Sequence, residues 1–122
     1  MVYAAVRESA LLNWMQDEVQ ADEAVTFNNV SQDYGVIMLA GPASRRILGE
    51  CTDAALDNAS FRWLSTQPVS VAGVTGVRAL RVTYTGELGW ELHVPMAGML
   101  DVYSALVSTS HSEGLVHVGS AT

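Results

Sequence analysis

Leu80-Arg81-Val82-Thr83-Tyr84-Thr85-Gly86-Glu87-Leu88-Gly89-Trp90-Glu91-Leu92-His93-Val94 is the stretch whose reading decides the fold. Leu80, Val82 and Tyr84 alternate with Arg81 and Thr83 on one side of a loop that carries Gly86 and Gly89. Trp90, Leu92 and Val94 alternate with Glu91 and His93 on the other side. Period-two alternation flanking a glycine-containing loop predicts a β-hairpin. The glycines admit positive φ at the turn without a Cβ clash.

Register decides what the hairpin does. With Tyr84 opposite Trp90, the residues Leu80, Val82, Leu92 and Val94 complete one apolar face. Arg81, Thr83, Glu91 and His93 then share the other face, and Glu91 pairs with Arg81 as an ordinary cross-strand ion pair. A bulge at Gly86 or Gly89 slips the pairing by one residue and brings Tyr84 and Glu91 to the same side. An aromatic beside a carboxylate suits a flat, nitrogen-rich ring. The aromatic meets the ring face and the carboxylate accepts hydrogen bonds from its N–H groups. Spacing alone leaves both registers open.

The twelve residues from Arg81 to Leu92 resemble the signature hairpin of the tetrahydrofolate-binding aminomethyltransferase family. That family includes the T-protein of the glycine cleavage system and the folate domains of dimethylglycine and sarcosine dehydrogenases. The Glu87-Leu88-Gly89-Trp90-Glu91-Leu92 form is most similar to the dehydrogenase branch. A second run, Leu39-Ala40-Gly41-Pro42 followed by Ser44, Arg45 and Leu48, resembles the same family. The resemblance implies that Tyr84 lines a folate pocket and that Glu91 holds the pterin, with tetrahydrofolate as cofactor. In the intact family a one-carbon unit passes from an amine donor to tetrahydrofolate, and the protein positions the reactants and supplies an acidic group. The family's catalytic aspartate lies upstream of any matching residue here. Further folate contacts, including an arginine, and a C-terminal barrel lie downstream. The expectation is therefore one partial domain over residues 1–122, a fragment, truncated reading frame or half-domain, with no catalytic residue and no turnover by this chain alone. A non-catalytic binding module or a self-associating module of the same descent is the alternative.

Composition bounds the partners. One domain's worth of chain, 122 residues with 49% hydrophobic content, is globular rather than disordered. Thirteen acidic residues face six arginines and no lysine, giving a net charge of −7. Such a surface argues against nucleic acid and anionic membranes as partners. It does nothing to draw in an anionic folate from afar, so recognition of a folate-type small molecule has to be local. No segment approaches the roughly 20 apolar residues that span a bilayer. The single Cys51 excludes an internal disulfide, fits a reducing compartment such as the cytoplasm, and reads as a small buried hydrophobe. His93, His111 and His117 lack ligand-like spacing with Cys51 or with one another, so no metal site is expected.

Along the chain, residues 1–6 read as a strand tail and Ser9 to Val19 as a helix, with Leu11, Leu12, Met15 and Val19 at helical spacing. Ala24 to Val30 is a candidate strand broken at Asn28-Asn29. Val36-Ile37-Met38-Leu39 has no polar member, the pattern of a central strand covered on both faces. Gly41-Pro42 opens a short helix with Gly49 as its stop. Gln67 to Val74 and Val77 to Tyr84 read as strands, and Ala97 to Val107 as an amphipathic helix. This order predicts an α+β fold: a mainly antiparallel sheet with helices on one side, in a ferredoxin-like arrangement as in the aminomethyltransferase fold. Val36, Ile37, Leu39, Leu80, Val82, Leu92 and Leu100 are the predicted core. Sheet edges left open in a partial domain predict self-association into a homo-oligomer.

Overall fold

The structure, a computed structural model, describes residues 5–111 and 114–119. The chain forms two compact units, Met1–Val30 and Ser31–Thr122.

The first unit holds helix α1, Glu8–Glu18, preceded by a 3-10 turn at Ala5–Arg7. Leu11, Leu12, Met15 and Val19 are half-buried, as their helical spacing predicts, but no α1 residue is fully buried. The expected strand tail at residues 1–6 lies largely outside the described residues, and Ala5 and Val6 belong to the 3-10 turn. Residues 24–30 form no strand. Asn28-Asn29 interrupts the run there, and the Asn29 side chain donates to Glu8 Oε1 at 2.5 Å.

The second unit carries the sheet. Its strands are β1 (Tyr34–Ala40), β2 (Thr66–Val71), β3 (Val74–Leu80) and β4 (Gly89–Pro95). Helix α2 (Ser44–Cys51) follows β1, and helix α3 (Met99–Thr109) follows β4. The strand order is β1-β4-β3-β2, and every neighbouring pair is antiparallel. Ala72 and Gly73 connect β2 to β3 with φ of 52° and 78°. Positive φ at both central residues is the turn that matches strand twist in a two-residue hairpin.

One sheet face is apolar and buried. Leu39, Val69, Val71, Val77, Ala79, Trp90, Leu92 and Val94 form a single cluster with Ile47 and Leu48 of α2 and Val102 and Leu106 of α3. Both helices therefore pack on that face. Phe61 closes the end of the cluster, with its ring edge-on to Trp90 at a centroid distance of 6.3 Å. Arg45 and Arg81 place their guanidinium carbons 6.0 and 5.9 Å from the Trp90 ring centre. The same two guanidinium groups donate to one atom, Asn58 Oδ1, at 2.8 and 2.7 Å. Arg81 also donates to the Phe61 carbonyl at 2.5 Å. These contacts bind the loop at 58–61 to α2 and to the end of β3.

Several predicted core positions differ from the structure. Helices α2 and α3 pack on one face of the sheet, so alternate apolar side chains of β1 face away from them, and β1 is an edge strand rather than a central one. Leu39 is buried and Ile37 packs against the cluster, whereas Val36 is 52% exposed. Leu80 pairs with Glu91, which puts it on the face opposite Trp90, and Val82 is only half-buried. On α3 the buried residues are Val102 and Leu106, four apart, and Leu100 is 73% exposed. Gly49 does not end α2, which runs to Cys51.

Leu92 and Val82 therefore separate in mutational cost. Leu92→Ala removes a fully buried side chain and is expected to cost about 2–4 kcal/mol in chemical denaturation. Val82→Ala is expected to cost less than about 1 kcal/mol. Equal losses would place the two side chains in one core.

Candidate functional site

The face turned away from α2 and α3 carries the candidate site. On β4 the alternation read from sequence is realised: Trp90, Leu92 and Val94 point to the helices, and Glu91 and His93 to the other face. β4 is paired on both sides, so each of these residues has cross-strand neighbours. Glu91 lies between Met38 and Leu80, and His93 between Val36 and Arg78. The register Leu80↔Glu91 lies three residues from the one that sets Tyr84 opposite Trp90, rather than the one residue expected of a slip, and an odd shift of either size moves Glu91 to the face of Leu80. No bulge at Gly86 or Gly89 produces it. The ladder between β3 and β4 is regular, and the irregularity lies instead between Val69 and Val71 on β2. Residues 81–88 form an irregular connection rather than continuing the strands.

That connection carries Tyr84 back over Glu91. The Tyr84 hydroxyl donates to Glu91 Oε2 at 3.0 Å. His93 Nε2 lies 2.7 Å from Glu91 Oε1. Glu91 is buried, with only 7% of its surface exposed. A buried carboxylate is costly unless its oxygens are hydrogen-bonded, and here each oxygen has a partner. The hydrogen bond to Glu91, and after it the nearby negative charge, raises the Tyr84 phenol above its ordinary value. The phenol thus stays protonated and keeps donating. Tyr84 itself is 79% exposed, so its ring is a rim and not a core element.

Arg81 is not the partner of Glu91. Its side chain turns to Asn58, Phe61 and the Trp90 ring, and its backbone extends the β2–β3 ladder by pairing with Leu64 and Ser65. Tyr84 and Glu91, the two residues singled out in the sequence, are therefore brought together, and the Arg81–Glu91 pair is not formed. His93 is the member of the constellation that sequence reading left aside. Its signal was the i, i+2 spacing from Glu91 on a half-buried strand.

The second sequence run that resembled the family holds this connection in place. Gly41, at φ of 113°, donates its N–H to the Leu88 carbonyl at 2.8 Å. The buried Ser44 hydroxyl lies 2.6 Å from the Gly41 carbonyl and 3.1 Å from the Leu88 carbonyl. Gly89 follows at a place where a Cβ would come within 3.1 Å of the Leu39 carbonyl and 3.2 Å of the Val82 carbonyl. A glycine permits that close backbone approach. An open hollow of about 480 Å³ runs along the connection, lined by Trp63, Arg81, Thr83, Gly86, Glu87 and Leu88. Neither Tyr84 nor Glu91 lines it; they stand on the sheet face.

Among the described residues no group of three or more His, Cys, Asp or Glu side chains is arranged to hold a metal ion, and no helix is long and apolar enough to cross a membrane. Cys51 Sγ is half-buried, 3.5 Å from the Thr109 hydroxyl.

An antiparallel sheet with helices on one face and an aromatic–carboxylate pair on the other defines an α+β class of domain. Comparison with known proteins narrows the class. The model of the family described as GCVT N-terminal domain matches residues 1–122, and the chain belongs to that family. It is 47% identical over 89 residues to mitochondrial sarcosine dehydrogenase of Mus musculus, covering 73% of this chain and 10% of that protein. It is 33% identical over 109 residues to human mitochondrial dimethylglycine dehydrogenase, covering 88% of this chain and 12% of that protein. Against an aminomethyltransferase of Listeria monocytogenes serotype 4a the identity is 35% over 121 residues, 98% of this chain and 31% of that protein. The chain thus spans a tenth to a third of the length of these relatives. Its fold is that of a chain of the heterotetrameric sarcosine oxidase from Corynebacterium sp. U-96, solved in complex with pyrrole 2-carboxylate. The TM-score is 0.72 at 22% identity, over 90% of this chain and 54% of that one.

The Tyr84–Glu91 contact is open to a direct check. In an ultraviolet pH titration, the component lost in Tyr84→Phe should titrate above the ordinary phenol value of 10.0. In Glu91→Gln, which removes the charge, it should move back towards that value. An unmoved midpoint would mean that Tyr84 does not sit on Glu91 in solution.

Proposed function

We propose that this chain is the tetrahydrofolate-contacting part of an aminomethyltransferase-like protein, with Glu91 as the carboxylate that holds the pterin and Tyr84 as a wall beside it. The observation that carries the reading is the meeting of Tyr84 and Glu91 on one sheet face, with both carboxylate oxygens held by donors. An ionised carboxylate only accepts hydrogen bonds, and the amino and N–H groups along a pterin edge only donate. Charge-assisted bonds of this kind are stronger than neutral ones. Met38 and Leu80, the cross-strand neighbours of Glu91, flank it with apolar surface suited to a flat ring. Similarity to an aminomethyltransferase and to sarcosine and dimethylglycine dehydrogenases supports the ligand class. The chemistry of the reading is positioning: the chain orients the ring.

Glu91→Gln tests it. The substitution keeps size and one acceptor but deletes the charge, so tetrahydrofolate affinity measured by calorimetry should fall about tenfold, equivalent to about 1.4 kcal/mol. Binding by the parent should itself be weak, since an exposed sheet face buries less of a ligand than a closed pocket does. Equal affinity in the two proteins would assign any binding elsewhere.

A second reading, self-association, is favoured by one observation. β1 lies at the edge of the four-stranded sheet and exposes Val36 and Met38 on the face of the candidate site. An edge strand with apolar side chains is a template for a further strand. Sedimentation at high concentration should show a dimer that Val36→Lys abolishes. A strict monomer at all concentrations would end this reading.

A further inference from the structure

We infer that His93 is the positioning residue of the site: it fixes the Glu91 carboxylate in the orientation in which a ligand's N–H donors can reach it. The inference rests on the folate reading above and adds a residue to it. The two donors on Glu91 differ in how firmly they are held. Tyr84 lies on an irregular connection and is 79% exposed. His93 lies on the same strand as Glu91, two residues on, with a side chain 15% exposed. Its backbone is paired on both sides, with Val36 of β1 and with Arg78 of β3. His93 therefore cannot leave Oε1 by loop motion, whereas Tyr84 can leave Oε2.

Chemistry sets the roles of the two oxygens. A carboxylate accepts and cannot donate, so the 2.7 Å contact requires the proton on His93 Nε2. With Oε1 held by that proton, the carboxylate plane is fixed and Oε2 is the oxygen presented to the exposed Tyr84. A carboxylate has about four acceptor positions, so Oε1 keeps one for a second ligand N–H beside His93. Without His93 the Glu91 side chain regains rotamers that point its oxygens elsewhere, and a ligand must first restore the productive one. His93 need not touch the ligand to act in this way.

The experiment uses the full chain and has two arms. In the ligand-free parent, imidazole nitrogen NMR should show His93 fixed with its proton on Nε2, and Glu91→Ala should release it to a tautomer mixture. In the second arm, tetrahydrofolate affinity should fall about tenfold in His93→Phe, which keeps a ring but has no donor, the range expected for losing a hydrogen bond to a charged group. His93→Gln, which restores an amide N–H at similar reach, should recover most of the loss. A purely structural role for the ring predicts the reverse order, with Phe tolerated and Gln not. Parent-like affinity in His93→Phe, or a parent His93 already exchanging between tautomers, overturns the inference. A parent with fixed His93 that binds no tetrahydrofolate overturns the folate reading alone and leaves His93 as the group that orders Glu91.

Discussion

The pairing of β4 on both of its sides is the constraint from which the site follows. A strand paired on one side can slip or bend. A strand paired on both cannot change face without breaking two ladders. β4 is held by β1 through seven aligned residues and by β3 through Arg78, Ala79 and Leu80. Trp90, Leu92 and Val94, all fully buried, lock one face against α2 and α3. The opposite face is then obliged to present Glu91 and His93. Burial of the tryptophan and presentation of the carboxylate are two sides of one decision.

Arginine placement completes that decision. Arg81 is the nearest cation in sequence that could have neutralised Glu91 across the hairpin. It lies one residue past Leu80, the partner of Glu91, and so points to the other face. There it meets the Trp90 ring and Asn58, together with Arg45. Stacking on an indole and sharing a neutral acceptor occupy both guanidinium groups without a carboxylate in contact. The donors that Glu91 does have are a phenol and an imidazole. Both satisfy a buried carboxylate, and the phenol, on its exposed connection, is the one that a further donor could replace at lower cost than an arginine.

The fold was legible wherever one periodicity dominated. Strand β4, helix α1 and helix α3 follow from alternation or helical spacing alone, with ends displaced by one or two residues. The contact at the candidate site was legible in part: Tyr84 and Glu91 were marked, but two registers fitted the same residues. The register is set by contacts distant in sequence, Leu39 against Trp90 and Phe61 against Trp90, which no local pattern contains. The misplacement of Val36 has the same origin. An unbroken apolar run reads as a strand covered on both faces, but α2 and α3 pack on one face, and which face is covered is a global property. His93 was read as a polar strand residue because its meaning depends on the side-chain geometry of Glu91.

Charge decides how such a site can work. The chain carries a net charge of −7, so its long-range field repels an anionic ligand and cannot steer one in. Surface attraction of that kind is also screened within about 10 Å at ordinary salt. On the proposed reading, recognition comes from contacts made after encounter, and the buried Glu91 is suited to that role. Its hydrogen bonds lie in a region of reduced dielectric, where they are stronger than on the surface and less sensitive to salt. A negative charge at the site is then no obstacle to an anion as a whole, provided the part that enters is the donor-rich ring and the ligand's own charges stay in solvent. Binding of this kind depends on the ring edge far more than on ionic strength, which distinguishes it from electrostatic capture by a basic patch.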